Sequence, residues 1–381
     1  MKYLIIGSGR MANGVAYDLL NLVDTKEVHV TDRERTVLEQ MKLKFSDDRF
    51  HLYTINADDK ERIIPLMKKV DGVLSAVPYE YNLRLTQWAI QCGCHFVDLG
   101  GNIHVVEKQF GLDGEAKKAG VGIIPDCGLA PGMVSIVSAH AIAKFDKVEK
   151  LEIRVGGLPL DPKTPLNYQL VFSAHGLINE YIEPAIILED GKIKNVPSMT
   201  EIETLVFPEP FGQLEAFYTS GGSSTLPITY EGKIKNLNYK TIRYPGHCKK
   251  FKMMIDLGFI DEETMEIEGK AISRRKVFER LLEETLSFNS GDVMLIRISA
   301  EGMKNRMKKR WNYQTIQYED VKNNMTAMMR TTSFPATIVL KMLVDGRISD
   351  KGVLRQELSV PPDLFLEELA KRHIKFVITE G

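Results

Sequence analysis

The first residues whose types and spacing could serve ligand binding form a glycine-rich loop near the start of the chain. Gly7, Gly9 and Ala12 fit the pattern G-x-G-x-x-A, which follows an apolar run and opens a stretch of helical period. Such a loop turns tightly, lets phosphates approach the backbone and directs helix N–H groups at an anion. The pattern predicts a dinucleotide site. Its residues are Gly7, Gly9, Arg10, Met11 and Ala12.

An acidic residue lies at the distance from this loop that a nucleotide-binding fold requires. Asp32 follows the second glycine by 32 − 9 = 23 residues, at the end of a second apolar run. A carboxylate there accepts hydrogen bonds from ribose hydroxyls and repels a 2′-phosphate, which favours NAD over NADP. Arg33 would accommodate that phosphate if Asp32 turned away. Asp58 follows the third predicted strand, and Ala76, Val77 and Pro78 close the fourth. They are predicted to border the cofactor, and the alternative is that they only end their strands.

Two further glycine-rich loops follow predicted strands, at 97–102 and 124–133. The carboxyl ends of parallel strands are where α/β proteins bind ligands. We therefore predict that Asp98 and Gly100 contact the cofactor and that Asp126 contacts a substrate. The alternative is that both aspartates cap helices.

The alternation of short apolar runs with helical periods from residue 3 to about 125 predicts an α/β fold, a Rossmann doubly wound parallel sheet. This first domain is predicted to span residues 1–126 and to bind the nucleotide. The strands are predicted at 3–6, 28–31, 52–55, 72–77, 95–99 and 121–125. Helices are predicted at 34–44, 59–69 and 81–92.

Residues 127–324 are predicted to form a second, mixed α/β domain, because glycine and proline punctuate alternating runs. Strands are predicted at 151–155, 292–300 and 311–318, with a hairpin at 186–193. The basic stretch 301–310 is predicted to be a solvated loop. Helices from about 325 to 381, one of them interrupted by Pro335, are predicted to pack back on the first domain.

Composition narrows the functional classes. The 381 residues carry a formal charge of −1 and no long block of like charge, so neither nucleic acid nor membrane is expected as a partner. The four cysteines lack C-x-x-C spacing, so no metal site is expected. With no apolar run long enough to span a bilayer and no visible leader sequence, the protein is predicted to be cytoplasmic.

Four longer motifs then carry a resemblance to a known family: Val155–Pro159, Leu166–Ser173, Glu215–Leu226 and Tyr239–His247. With them, the chain resembles the saccharopine dehydrogenase-like oxidoreductases, and within these the lysine 6-dehydrogenases. The resemblance runs in order from residue 1 to about 260 and is weakest at 262–324. It implies a Rossmann domain, a saccharopine dehydrogenase type C-terminal domain and a homodimer.

The resemblance also implies a reaction. Free L-lysine would be oxidised at its ε-amine with NAD, giving 2-aminoadipate 6-semialdehyde, which cyclises to piperideine-6-carboxylate, with release of ammonia and NADH. The amine must lose a proton from an ammonium of pKa near ~10.4 before hydride leaves. His247 is the candidate base, and its alternative role is to hydrogen-bond a neighbouring loop. Arg243 offers planar donors for the substrate carboxylate, and its alternative is an ordinary salt bridge.

Other polar residues of these motifs complete the predicted site. Tyr168 and Ser173 are candidates to hydrogen-bond the amino-acid head or the cofactor, and Ser220 offers backbone donors to an anion. Glu215 is the second candidate proton acceptor, or a partner for the substrate ammonium, and Thr241 is a further substrate contact.

Two other functions stay open at this point. A saccharopine dehydrogenase, or a relative that forms carboxynorspermidine, shares the imine chemistry but acts on a secondary amine. A protein that binds NAD without catalysis is the alternative of a different class. Retention of Arg243 and His247 in one motif favours an enzyme.

Overall fold

The computed structural model describes residues 1–288 and 290–381, which form two compact units. The first unit comprises Met1–Phe145, Ser224–Thr229 and Met329–Lys375. The second comprises Asp146–Ser223, Tyr230–Met328 and Phe376–Gly381. The first unit thus runs past the predicted boundary at residue 126, because the apolar helix that follows is buried within it.

Strands and helices alternate through the first part of the chain. They are β1 (Lys2–Ile6), α1 (Arg10–Leu20), β2 (Glu27–Asp32), α2 (Arg35–Lys44), β3 (Phe50–Thr54), α3 (Lys60–Met67), β4 (Gly72–Ser75), α4 (Asn82–Cys92), β5 (His95–Asp98), α5 (Ile103–Phe110), α6 (Asp113–Ala119), β6 (Gly122–Ile124) and α7 (Met133–Ile142).

The middle part is richer in strands. Its elements are β7 (Lys147–Pro159), α8 (Ala174–Ile182), β8 (Ala185–Glu189), β9 (Lys192–Val196), β10 (Glu203–Phe207), β11 (Gly212–Tyr218), α9 (Leu226–Tyr230), β12 (Asn236–Arg243), α10 (His247–Asp256), β13 (Thr264–Ile267), β14 (Lys270–Ser273), α11 (Arg274–Leu286), β15 (Asp292–Lys304) and β16 (Met307–Tyr318). The last elements are α12 (Ala327–Val344), β17 (Gly352–Val353), α13 (Gln356–Ser359), α14 (Pro362–Lys371) and β18 (Val377–Glu380).

The first unit contains a parallel sheet in the order β17-β6-β5-β4-β1-β2-β3. Its central strands β1 and β4 are almost entirely buried and mostly apolar, because helices cover both faces of such a sheet. The predicted doubly wound fold is confirmed. Strand β17 was not predicted, since two residues are too short to show a period. Helix α12 passes through Pro335 without ending.

The second unit contains a mixed sheet in the order β10-β11-β12-β7-β15-β16-β18, with β8 paired to β12 and β9 paired to β8. The predicted loop at 301–310 is wrong, because β15 and β16 pair as far as Lys304 and Met307. Only Asn305 and Arg306 form the turn, with φ of 50° and 63°. The charged residues of this segment belong to the two paired strands. A run of charged residues alone therefore does not identify a loop.

A compact aromatic core lies between this sheet and helices α8, α10 and α11. Tyr168, Tyr181, Phe217 and Phe251 are all buried there. Within the described residues, no helix is both long and apolar enough to cross a bilayer.

Candidate active site

The glycine loop of the first unit joins β1 to α1 and leaves the helix start open. Gly7 has φ of 102°, and a Cβ there would lie 2.7 Å from the carbonyl oxygen of Ala76, so only glycine fits. Gly9 precedes α1, and no side chain caps the helix. A Cβ on Gly9 would meet nothing within 4 Å. The open N-terminus of α1 therefore fits the pyrophosphate of a dinucleotide.

Asp32 is fixed against this loop at the end of β2. Its Oδ2 accepts hydrogen bonds from the backbone N–H and the hydroxyl of Ser8, both at 2.8 Å, and its Oδ1 accepts one from Glu34 N at 2.9 Å. Arg33 is exposed and lies 3.5 Å from the Glu34 carboxylate. Asp58 forms an ion pair with Arg84.

Other predicted cofactor residues lie at neighbouring strand ends. Ala76, Val77 and Pro78 follow β4, while Arg10, Met11 and Ala12 begin α1. Asp98 differs from the prediction, because it is fully buried and structural. Its Oδ1 accepts from Gly100 N at 2.8 Å and Asp126 N at 3.1 Å, and its Oδ2 accepts from Gln109 Nε2 at 2.8 Å. Asp98 therefore fixes the loops after β5 and β6 rather than presenting its carboxylate to a ligand.

Asp126 follows β6 with φ of 61° and is 3% exposed. Its Oδ2 accepts a hydrogen bond from the Ser224 hydroxyl, and its backbone carbonyl accepts one from Gln356 Nε2. Burial, reinforced by the nearby charge of Asp98, raises the pKa of Asp126 to about 7. A carboxyl group with such a pKa can exchange a proton near neutral pH.

Arg243 is the last residue of β12 and is 3% exposed. Its Nε donates to the hydroxyl of Tyr181 at 2.8 Å, and its Nη1 donates to the Ile242 carbonyl at 2.9 Å. Its guanidinium carbon lies 4.6 Å from the centre of the Tyr168 ring. Among residues 1–288 and 290–381 it forms no ion pair, and its side-chain hydrogen bonds use only Nε and Nη1. A buried guanidinium in this state requires an anion, and a ligand carboxylate would supply one.

His247 lies at the start of α10 and supports Arg243 indirectly. Its Nδ1–H donates to the carbonyl of Leu166 at 3.0 Å, and its Nε2 accepts from the hydroxyl of Tyr181 at 3.1 Å. Burial, and then the charge of Arg243, lowers the pKa of His247 to about 3. The imidazole is thus neutral with both nitrogens engaged. This geometry favours the structural alternative over the predicted role of general base.

Glu215 also differs from its predicted role. Its Oε2 accepts from Gly246 N at 2.8 Å and its Oε1 accepts from Cys248 N at 2.7 Å. Both carboxylate oxygens are therefore used to cap α10, and neither is free for a substrate ammonium. Ser173 likewise caps α8 by accepting from Gly176 N at 3.1 Å, and it is exposed.

Glu180, near the end of α8, is a residue that the sequence did not single out. Thr241 Oγ1 donates to its Oε1 at 2.8 Å, and the backbone N–H of Ser220 donates to its carbonyl at 2.9 Å. The charge of Glu180 acts on Arg243 and on Tyr168. Burial raises the pKa of Tyr168 to about 12; the charge of Arg243 opposes this shift and the charge of Glu180 adds to it. The one sequence signal that could have indicated Glu180 was its position beside the buried face of the amphipathic helix α8.

Comparison with known families accounts for both units. Residues 3–124 match the saccharopine dehydrogenase NADP binding domain, and residues 128–374 match the saccharopine dehydrogenase C-terminal domain. The chain belongs to the saccharopine dehydrogenase family. It is therefore an oxidoreductase of the amino-acid dehydrogenase type, and the predicted resemblance to this family is confirmed.

Relatives in the saccharopine dehydrogenase family have diverged far in sequence. The chain is 21% identical to a saccharopine dehydrogenase [NADP(+), L-glutamate-forming] of Pyricularia oryzae, covering 97% of this chain and 96% of that protein. It is 24% identical to a carboxynorspermidine synthase of Vibrio cholerae, covering 97% and 94%. The apo structure of saccharopine dehydrogenase (L-Glu forming) from Saccharomyces cerevisiae has a TM-score of 0.83 at 19% identity, covering 100% and 99%, which shows the same fold.

Proposed function

We propose that the protein oxidises the ε-amine of L-lysine with NAD, giving 2-aminoadipate 6-semialdehyde, ammonia and NADH. The observation that carries this proposal is the buried Arg243, which forms no ion pair with a carboxylate within the described chain. In an enzyme of an amino-acid dehydrogenase family, the missing partner is the α-carboxylate of the substrate. The aromatic surroundings strengthen the pairing because they exclude water.

The residues around Arg243 position it and take no part in proton transfer. The guanidinium of Arg243 lies over the ring of Tyr168, and its Nε donates a hydrogen bond to the hydroxyl of Tyr181, which is also hydrogen-bonded to His247. NAD, when bound, supplies a hydride acceptor for carbon 6 of lysine. The amine has to be neutral first, and we propose Asp126 as the proton acceptor, since its pKa of about 7 suits this step. Water then adds to the imine carbon, and ammonia leaves.

The choice of NAD rests on Asp32. Its carboxylate is held at the glycine loop by Ser8 and Glu34, where it would repel a 2′-phosphate. The matching family domain is described as NADP-binding, and relatives carry NADP(+) in their names. Those descriptions favour NADP, whereas the local chemistry of Asp32 favours NAD.

A saccharopine dehydrogenase is the second candidate function, because several relatives bear that name. Its substrate carries an additional carboxylate pair from glutamate and would need a second cationic anchor. A homodimer located in the cytoplasm stays a prediction from the sequence.

Purified protein incubated with NAD or NADP and one amine at a time tests the proposal. We expect reduced cofactor to form with NAD and L-lysine alone, without added glutamate. Turnover on saccharopine only would establish the second candidate instead. Nucleotide binding without turnover on either compound would contradict both.

A further inference from the structure

Glu180 and Arg243 present opposite charges on neighbouring elements of the second unit. Arg243 ends β12, and Glu180 lies near the end of α8. Helix α8 ends just beyond this point, because Pro184 holds Glu183 in an extended conformation. Thr241 joins the two elements, since it lies on β12 and donates to the Glu180 carboxylate at 2.8 Å.

The two charges do not neutralise each other. The charge of Glu180 acts on Arg243, but no ion pair joins the two side chains, and neither pairs with another charged group among residues 1–288 and 290–381. Glu180 Oε1 accepts from Thr241, and Oε2 has no hydrogen bond within that part of the chain. Glu180 is half-buried, so a ligand can reach it.

A cation and an anion that lie on neighbouring elements without forming an ion pair can each bind the opposite charge of a zwitterion. An α-amino acid carries its carboxylate and its ammonium on the same α-carbon. The arginine can therefore bind the carboxylate while the glutamate binds the ammonium. Glu215, which was predicted for the ammonium, already caps α10 with both oxygens. Glu180 is therefore the carboxylate near Arg243 that is available to bind the ammonium.

We propose that Glu180 binds the α-ammonium of the substrate while Arg243 binds its α-carboxylate, so that the second unit selects zwitterionic α-amino acids. This inference rests on the proposed function for the identity of the substrate. It assigns Glu180 as a specificity-determining residue, and Thr241 and the backbone N–H of Ser220 as the groups that position it.

Two ligands without an ε-amine test the zwitterion site by binding alone. L-Norleucine keeps the complete α-amino acid head, whereas hexanoate lacks the ammonium. By calorimetry, we expect Glu180→Gln to weaken L-norleucine binding by about 10- to 100-fold, the value of a charge-assisted hydrogen bond, with hexanoate binding unchanged. Glu152→Gln, which alters another half-buried carboxylate of the same unit, is expected to change neither.

Turnover provides the parallel measurement with L-lysine and 6-aminohexanoate. The Glu180→Gln variant is expected to lose kcat/KM for L-lysine only, and Glu180→Asp is expected to retain part of the selectivity. Equal losses on both compounds, or unchanged L-norleucine binding, would overturn the assignment of Glu180. If the wild type oxidises no amine but its preference for L-norleucine depends on Glu180, the zwitterion site stands and the proposed reaction fails.

Discussion

At the scale of single residues, the same side chain can serve chemistry or structure, and burial decides between them. His247 and Arg243 share one motif, yet the histidine is neutral and fully engaged while the arginine retains unused donors. The sequence suggested both residues because of their types. It could not show that the partners of His247, Leu166 and Tyr181, come from segments 81 and 66 residues away.

Replacement of His247 tests its positioning role. We expect His247→Gln to raise the KM for L-lysine by about 10-fold, because Tyr181 and then Arg243 lose their orientation. Since the pKa of His247 is about 3, the imidazole is already neutral at working pH, and the pH profile of kcat should keep its shape. Loss of a titration near neutral pH in this variant would restore His247 as the general base.

Titration of Asp126 should affect the pH dependence of stability as well as catalysis. Its pKa is raised from 3.8 to about 7 on folding, so its protonated form favours the folded state and this contribution is lost as the pH rises through about 7. Asp126→Asn should therefore gain stability relative to the wild type between pH about 4 and 7. Denaturant unfolding across this range measures the difference. A difference that is constant with pH would contradict the raised pKa.

At the scale of elements, capping groups come from strands distant in sequence. Glu215 on β11 fixes the start of α10, which a search for helix caps just before residue 247 does not find. The hairpin of β15 and β16 was misjudged for a related reason, since exposed charges occur on strands as well as in loops.

Removal of the Glu215 cap should affect stability more than chemistry. Glu215→Ala leaves two backbone N–H groups of Gly246 and Cys248 without their acceptor, so we expect the free energy of unfolding to fall by about 2 kcal/mol. Thermal unfolding measures this loss, and kcat of the folded protein should change little. A large fall in kcat with unchanged stability would support the originally predicted catalytic role.

Asp32, at the end of β2 beside the glycine loop, should determine whether NAD or NADP is preferred. Asp32→Ser removes the charge that opposes a 2′-phosphate and leaves Arg33 to attract it. The ratio of kcat/KM for NADP to that for NAD should rise by about 10- to 100-fold. Glu39→Gln, an exposed change on α2, serves as the control. An unchanged ratio would show that Asp32 does not select the cofactor.

At the scale of the whole molecule, the parallel sheet could be predicted almost completely and the second unit only in outline. Repeated apolar runs such as β1 and β4 identify buried parallel strands because helices cover both faces. The mixed sheet, in contrast, joins β7 to β12 and β15 over long separations that leave no local period. Glu180 escaped notice for this reason, since its importance comes from Thr241 and Arg243 on a distant strand.

Transfer of an isotope from the substrate tests the central claim most directly. L-Lysine deuterated at carbon 6 should pass a deuterium to NAD, giving singly deuterated NADH by mass spectrometry together with unlabelled ammonia. Label transferred only from L-lysine deuterated at carbon 2, or none from either form, would contradict oxidation of the ε-amine.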